Sequence, residues 1–341
     1  MMTKLSGAYQ SPNCKFAFFT AKNDAAFGRI LGIENWDWTP QPTINVEPYF
    51  GNTHTLALAM GCRARHTSEG KEWIQSMIND PAQVKEIEIP DPLDGRTGEI
   101  IEDIEDLLLE APENVLIRLP DIQSPLGVAE LMWNPETFYS ALLSNPVEVH
   151  ELLDKITQFI IAYVQEIQAI LDDRLNPACF PEIWSDPAGY YIADDSNSLV
   201  SPAMHLEYGV HYINQITAAC GPVHYHSCTW NRPYFANIRK INNIKAVNWA
   251  VNTSDDPAVI IDEFSGDYLL CPHIGADAHD CAALSMHGFR DEAELVEFML
   301  NAMRQNTSLY FWFQPELVQK TEVMMRIYQL FKNHGYLPPV Q

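Results

Sequence analysis

Two strand-like runs, Tyr190-Tyr191-Ile192-Ala193-Asp194 and Pro222-Val223-His224-Tyr225-His226-Ser227-Cys228, flank a predicted helix over Met204–Ala219. Each run starts with apolar or aromatic residues and ends with polar side chains that can carry chemistry. Strands of this kind, separated by a helix, are typical of a parallel sheet that helices cover on both faces. The order strand–helix–strand therefore predicts an α/β fold.

The same alternation continues along most of the chain. The other strand candidates are Thr43–Phe50, Val84–Ile89, Asn114–Leu119, Ala246–Asn252, Asp267–Cys271 and Ser308–Phe313. Further helices are predicted after Asn145 and over Asp255–Phe264, Asp291–Met303 and Gln314–Phe331. Such alternation predicts a (β/α)8 barrel with its site at the carboxyl ends of the strands. A doubly wound open sheet is disfavoured because no Gly-rich nucleotide loop follows a strand.

One domain over residues 1–341 is the simpler organisation, with residues 1–40 as a helical or irregular N-terminal cap on the barrel. The formal net charge is −24, from 45 acidic and 21 basic residues, which disfavours nucleic acids and anionic membrane surfaces as partners. No apolar run approaches the length of a membrane span, and the N-terminus does not read as a secretory signal. The seven scattered cysteines indicate reduced thiols, some available to a metal. We therefore expect a cytoplasmic protein.

Alternate side chains of a strand point to the same side, so His224, His226 and Cys228 should project together. The nitrogen of His226 and the sulfur of Cys228 would form half of a zinc site. Cys271 ends another predicted strand, and His273, which lies on the same side of that strand, is a catalytic candidate. The source of the remaining ligand stays open at this point. His224 lies deeper and is expected to be a core histidine. The competing interpretation of each cysteine is a small buried hydrophobic residue.

Asp194 and Asp195 directly follow a predicted strand, where a barrel keeps its chemistry. Either carboxylate would serve as a substrate contact, a partner of a ligating histidine or a ligand. The alternative is a loop carboxylate that caps backbone amides. Asp194 is the catalytic candidate of the pair.

Several of these motifs together resemble the uroporphyrinogen decarboxylase superfamily. They are Ser124-Pro125-Leu126-Gly127-Val128-Ala129, Tyr191-Ile192-Ala193-Asp194-Asp195, Leu199-Val200-Ser201-Pro202, His205-Leu206-Glu207-Tyr208 and the pair His226-x-Cys228. The resemblance covers most of the chain and implies a (β/α)8 barrel. True decarboxylases bind a polycarboxylate through an Arg-rich N-terminal segment, whereas residues 1–62 contain the single arginine Arg29. The chain is more similar to the branch of zinc-dependent methyltransferases.

That branch exchanges a methyl group between a small methylated compound and a corrinoid protein. The resemblance therefore implies Zn²⁺ held by His226, Cys228 and Cys271, with His273 as the substitute for Cys271. It also implies a corrinoid (cobalamin) carried by a partner protein. Coenzyme-M-type members carry their last cysteine near the final strand, but Ser308–Phe313 contains none. A methyl ether, thioether or amine is therefore the expected substrate. A metal-independent decarboxylase that uses Asp194, and a non-catalytic corrinoid- or tetrapyrrole-binding barrel, stay open as alternatives, as does a homodimer.

Overall fold

The structure is a computed structural model. It describes residues 4–10, 16–20, 43–45, 53–66, 72–110, 113, 116–177, 189–274, 284, 287–304, 307–313 and 320–334. Its strands are β1 (Lys4–Gln10), β2 (Phe16–Thr20), β3 (Thr43–Asn45), β4 (Arg63–His66), β5 (Glu72–Gln75), β6 (Leu116–Arg118), β7 (Leu175–Asn176), β8 (Tyr190–Ala193), β9 (Val223–Ser227), β10 (Ile244–Ala250), β11 (Leu269–Ile274) and β12 (Ser308–Phe313).

Helices separate most of these strands. The α-helices are Thr55–Ala59, Gly95–Glu110, Pro125–Met132, Pro135–Ser144, Pro146–Leu171, Pro202–Met204, His211–Cys220, Arg232–Ile238, Pro257–Phe264, Glu292–Ala302 and Thr321–Asn333. A π-helix, His205–Val210, continues directly into the helix His211–Cys220. None of the described helices is long and apolar enough to cross a lipid bilayer.

One sheet contains all of the strands except β4 and β5, which form a separate hairpin. Five neighbouring strands, β8 to β12, pair in parallel in chain order. β12 also pairs in parallel with β2, and the antiparallel hairpin of β2 and β1 connects this half to β3, β6 and β7. The predicted α/β fold with parallel strands is therefore confirmed.

The carboxyl end of β8 also contacts the opposite part of the sheet. Gln123, beyond the end of β6, forms a parallel bridge with Ala193. The Ser124 amide donates to the Ala193 carbonyl, and the Ala193 amide donates to the Ile122 carbonyl, at 2.7 and 2.8 Å. The chain beyond β6 thus lies beside the end of β8.

The longest helix, Pro146–Leu171, shows why these segments pack as they do. Its apolar side chains recur at helical spacing, and Leu152, Ile156, Ile160 and Val164 are fully buried. Burial of each contributes roughly 1.5–3 kcal/mol relative to exposure. Pro146 occupies the first helical position as predicted, but the Asn145 side chain makes no cap hydrogen bond.

Two local predictions are wrong. Pro81–Glu86 is a 3₁₀ helix, so the predicted strand Val84–Ile89 does not form. A capping box explains the difference, because the Asp80 side chain accepts from the Ala82 amide while Gln83 accepts from the Asp80 amide.

Residues 4–10 and 16–20 are strands of the sheet, where a helical or irregular cap was predicted. The aromatic run at Phe16–Thr20 favours a strand. The single-domain organisation stays a prediction.

Gly189, which precedes β8, provides a test of how tightly β8 and β9 approach. Its φ is +97°, and a Cβ there would lie 1.9 Å from the Pro222 carbonyl oxygen. Gly189→Ala should lower the free energy of unfolding by at least about 3 kcal/mol through backbone strain and overlap. The control is Gly95→Ala, at φ +57° with open space around it, which should cost about 1 kcal/mol. If urea unfolding shows that the two variants lose the same free energy of unfolding, the close approach of Gly189 to Pro222 is contradicted.

Candidate metal centre

His226 and Cys228 lie together at the carboxyl end of β9. The Nε2 atom of His226 is 3.5 Å from the Sγ atom of Cys228. His226 is buried and Cys228 is exposed, so the imidazole is held by the protein while the thiol faces solvent. The predicted projection of these two side chains to one side of the strand places a nitrogen and a sulfur donor side by side.

Asp195 supplies the third donor, from the end of the neighbouring strand β8. Its Oδ1 atom is 3.5 Å from His226 Nε2 and accepts a 2.7 Å hydrogen bond from the Cys228 amide. One donor atom each from Asp195, His226 and Cys228 lies within 4.8 Å of the other two. Within the ranges that the structure describes, this is the only such group of three among His, Cys, Asp and Glu.

Asn248, on β10, determines which nitrogen of His226 carries the proton. The Asn248 Nδ2 atom donates to the Cys271 carbonyl, so its Oδ1 atom is the acceptor facing His226 Nδ1. His226 therefore donates from Nδ1, and in its neutral form keeps a lone pair on Nε2. Metal-binding histidines are oriented by a partner on their other nitrogen in this way.

The charges of Asp195 and His226 stabilise each other. Burial raises the pKa of Asp195, but its bond and charge interaction with His226 and its bonds to Cys228 outweigh burial and lower that pKa to about 2. Burial lowers the pKa of His226, yet Asp195 and Cys228 together hold it well above its usual value. Without a cation between them, these groups form an ion pair.

Asp121 is a further carboxyl beside this group, and the sequence interpretation missed it. Gln123 Nε2 lies 3.2 Å from each of its two carboxyl oxygens. Burial raises its pKa, while the nearby charge of His226 lowers it and that of Asp195 raises it. Asp121 comes just after a predicted strand, and the rule that singled out Asp194 would also have found it.

Cys271 does not join the group. Cys271 on β11 pairs with Asn248 on β10, and Asn248 pairs with His226 on β9, so β10 lies between Cys271 and His226. The Cys271 thiol is not part of the group of donor atoms that lie within 4.8 Å of one another, which contains only Asp195, His226 and Cys228 among the described residues. Burial also raises the pKa of the Cys271 thiol, which disfavours the thiolate that binds metals. In this structure Asp195 occupies the place predicted for Cys271.

The two other histidines of the prediction also lie outside the group. His273 is half-buried on β11 and registers with Ala250 on β10 and Trp312 on β12. His224 is buried, and burial together with the charge of Lys245 lowers its pKa to about 3. His224 is thus a neutral histidine within the strand, as expected of a core residue. A catalytic role for His273 stays a prediction.

Asp194, the predicted catalytic carboxylate, faces away from His226 and Cys228. It is fully buried, and its Oδ2 atom accepts hydrogen bonds from His205 Nε2 and the Tyr225 hydroxyl, both at 2.9 Å. Consecutive residues at a strand end point to opposite sides, so Asp195 faces the donors and Asp194 faces the helices.

Comparisons with known proteins agree with the predicted resemblance. The profile of the family described as uroporphyrinogen decarboxylase (URO-D) matches residues 48–169. A solved methyltransferase from Methanosarcina mazei is similar with a TM-score of 0.61 and 12% sequence identity, covering 91% of this chain and 83% of that chain. At this identity the likeness shows a shared fold. A search among curated protein sequences finds no match. The resemblance to the uroporphyrinogen decarboxylase superfamily is thus confirmed.

The Asp195–His226 pair predicts a pH window for the stability of the metal-free protein. The pKa of Asp195 is lowered from 3.8, so its stabilisation is complete above pH 3.8 and is lost as the pH falls through about 2. The pKa of His226 is raised from 6.5, so its stabilisation is complete below pH 6.5 and is lost as the pH rises through the raised value. Asp195→Asn should therefore destabilise most between pH 3.8 and 6.5.

Urea unfolding at several pH values measures this difference. Glu207→Gln is the control, because Glu207 pairs with His150 at the surface at 3.3 Å, where ion pairs contribute little. If Asp195→Asn lowers the free energy of unfolding by the same amount at every pH, the ion pair is contradicted.

Proposed function

We propose that this relative of the uroporphyrinogen decarboxylase superfamily is a zinc-dependent methyltransferase. It would exchange a methyl group between a small methylated compound and a corrinoid protein. The observation that carries the proposal is the convergence of Asp195, His226 and Cys228 at two adjacent strand ends. An oxygen, a nitrogen and a sulfur donor leave one position of a tetrahedral zinc ion for a substrate, as in catalytic zinc sites.

The distances between the donors fit a tetrahedral zinc ion. Typical Zn–N and Zn–S bonds at tetrahedral angles place nitrogen and sulfur roughly 3.6 Å apart, and nitrogen and oxygen roughly 3.3 Å apart. The observed separations from His226 Nε2 are 3.5 Å to Cys228 Sγ and 3.5 Å to Asp195 Oδ1. Little movement of the three side chains would be needed.

The chain's own residues prepare these donors. Asn248 keeps the proton of His226 on Nδ1, which directs the Nε2 lone pair toward Asp195 and Cys228. The Cys228 amide holds the Asp195 carboxylate in place through Oδ1. When bound, zinc would act as a Lewis acid on a substrate heteroatom. A carboxylate and a thiolate together balance its charge.

The donor set bears on the class of substrate. Replacing a second thiolate with the harder carboxylate of Asp195 should leave the metal a stronger Lewis acid toward oxygen and nitrogen. We therefore favour a methyl ether or methylamine over a thioether. The Asp121 carboxyl is close enough to His226 to sense its charge, and Gln123 bonds Asp121. The Tyr191 and His226 rings stack with centroids 6.1 Å apart. These side chains are the candidates to contact the substrate.

The proposal includes a closed barrel. The eight strands β3, β6, β7, β8, β9, β10, β11 and β12 follow the order expected of a (β/α)8 barrel, with the β1–β2 hairpin between the last and the first. The bridge between Gln123 and Ala193 supports closure near β8. In such a barrel the carboxyl ends of β8 and β9 open at the catalytic face, where a corrinoid protein would dock.

A metal-independent decarboxylase is the second candidate, because the matched family profile is that of a decarboxylase. The half-buried Asp121 carboxyl, whose pKa burial raises, would then contact the substrate in place of Asp194. Release of carbon dioxide from a small acid by zinc-free protein would support this candidate. Tight binding of a tetrapyrrole without turnover would support a non-catalytic barrel.

Zinc content is the direct test of the metal site. The full chain, purified under reducing conditions, should contain about one zinc ion per chain by elemental analysis. Cys228→Ser and Asp195→Asn should weaken zinc binding by more than the roughly 10- to 100-fold expected for a supporting residue. Cys271→Ser is the matched control and should keep its zinc. Loss of zinc from Cys271→Ser but not from Asp195→Asn would restore Cys271 as the ligand.

Methyl transfer is tested with added cob(I)alamin and a panel of methyl ethers, methylamines and thioethers. We expect zinc-loaded protein to form methylcobalamin, detected by its absorption, from an ether or amine, and Cys228→Ser to form none. The donor for which transfer occurs identifies the substrate class. Zinc-loaded protein that transfers a methyl group from no donor would contradict the proposed function.

A further inference from the structure

We propose that Asp194, His205 and Tyr225 form a positioning unit for the metal donors, held on the side of β8 and β9 that faces away from them. This inference rests on the proposed metal site and assigns a role to three residues that cannot touch the metal. The unit would hold the strand ends so that Asp195, His226 and Cys228 keep their mutual geometry.

The unit is a buried carboxyl group with two hydrogen-bond donors. Asp194 and His205 are completely buried, and Tyr225 is 1% exposed. His205 Nε2 and the Tyr225 hydroxyl both lie 2.9 Å from Asp194 Oδ2. Because both donors bond the same oxygen of one buried side chain, the three groups hold one another at defined positions.

The proton on His205 can be assigned from its neighbour Asn237. Asn237 Nδ2 donates to the Pro202 carbonyl at 2.6 Å, so this amide nitrogen, and not the oxygen, faces His205 Nδ1 at 3.3 Å. Nδ1 of His205 is therefore an acceptor, and its Nε2–H donates to Asp194. The imidazole is thereby fixed from both sides.

The unit is connected to the metal donors through the backbone. Asp194 immediately precedes Asp195, and Tyr225 immediately precedes His226. The Asp194 amide donates to the His226 carbonyl at 2.8 Å, and the Cys228 amide donates to Asp195 Oδ1 at 2.7 Å. A shift of Asp194 or Tyr225 therefore moves the peptides from which the donors project.

Gly209, in the π-helix His205–Val210, leaves room for the His205 ring beside Asp194. A Cβ at Gly209 would lie 2.6 Å from His205 Cδ2 and 3.2 Å from His205 Nε2. Glycine at this position therefore leaves the space that the imidazole occupies. Segments of π-helix are frequent at functional sites. Gly209→Ala would displace the ring without removing any polar group.

The test compares two buried tyrosines on neighbouring strands. Tyr225→Phe removes a hydroxyl from the positioning unit. Tyr190→Phe is the matched control, because the Tyr190 hydroxyl bonds Thr217 Oγ1 at 2.8 Å and does not contact Asp194. Co²⁺ is the probe, since its absorption reports both affinity and the sulfur–cobalt charge-transfer band. The melting temperature of each metal-free variant reports any general loss of stability.

We expect Tyr225→Phe and Gly209→Ala to raise the Co²⁺ dissociation constant by roughly 10- to 100-fold and to alter the visible spectrum. The Co²⁺ dissociation constant of Tyr190→Phe should stay within about twofold of the wild-type value, even where its melting temperature falls as much as that of Tyr225→Phe. Wild-type affinity and spectrum in both Tyr225→Phe and Gly209→Ala would overturn the positioning unit and leave the metal site standing. A wild-type chain that binds neither Co²⁺ nor Zn²⁺ would overturn the metal site, and the positioning unit with it.

Discussion

The parallel register of β8, β9 and β10 is the constraint on which the candidate site depends. Ala193, His226 and Asn248 lie in one row across these three strands. Asp195 and Cys228 each come two residues later, beyond the ends of β8 and β9. Because the strands run in the same direction, their side chains converge at one edge of the sheet. A shift of one residue in any pairing would turn a donor toward the helices.

Some parts of the fold and the site could be predicted from local sequence. The α/β class follows from apolar runs separated by helical periodicity, and the pair His226 and Cys228 follows from the two-residue repeat of a strand. The strand predicted at Val84–Ile89 failed because the capping box at Asp80 decides that segment. The strand at Phe16–Thr20 has a local signal in its aromatic residues, whereas the place of the N-terminal hairpin in the sheet depends on β3 and β12, which are distant in sequence.

The identity of the third donor shows why the rest of the candidate site could not be predicted from the sequence. Whether Asp194 or Asp195 faces His226 depends on where β8 ends, which composition does not determine to a single residue. Whether Cys271 reaches the site depends on Asn248 standing between it and His226, which requires the order and register of the sheet. Which of the strand-end cysteines lies beside His226 therefore follows from the three-dimensional arrangement and not from the local sequence.

The two adjacent aspartates at the end of β8 have different partners. Asp195 faces His226 and Cys228, and Asp194 bonds His205 and Tyr225 on the other side. X-ray absorption spectroscopy at the zinc edge tests the proposed donor set most directly. For the zinc-loaded full chain we predict one sulfur at about 2.3 Å, with the other ligands nitrogen or oxygen at about 2.0–2.2 Å. Two sulfur ligands on the zinc would contradict the assignment of Asp195 as a ligand. The absence of any sulfur ligand would rule out Cys228.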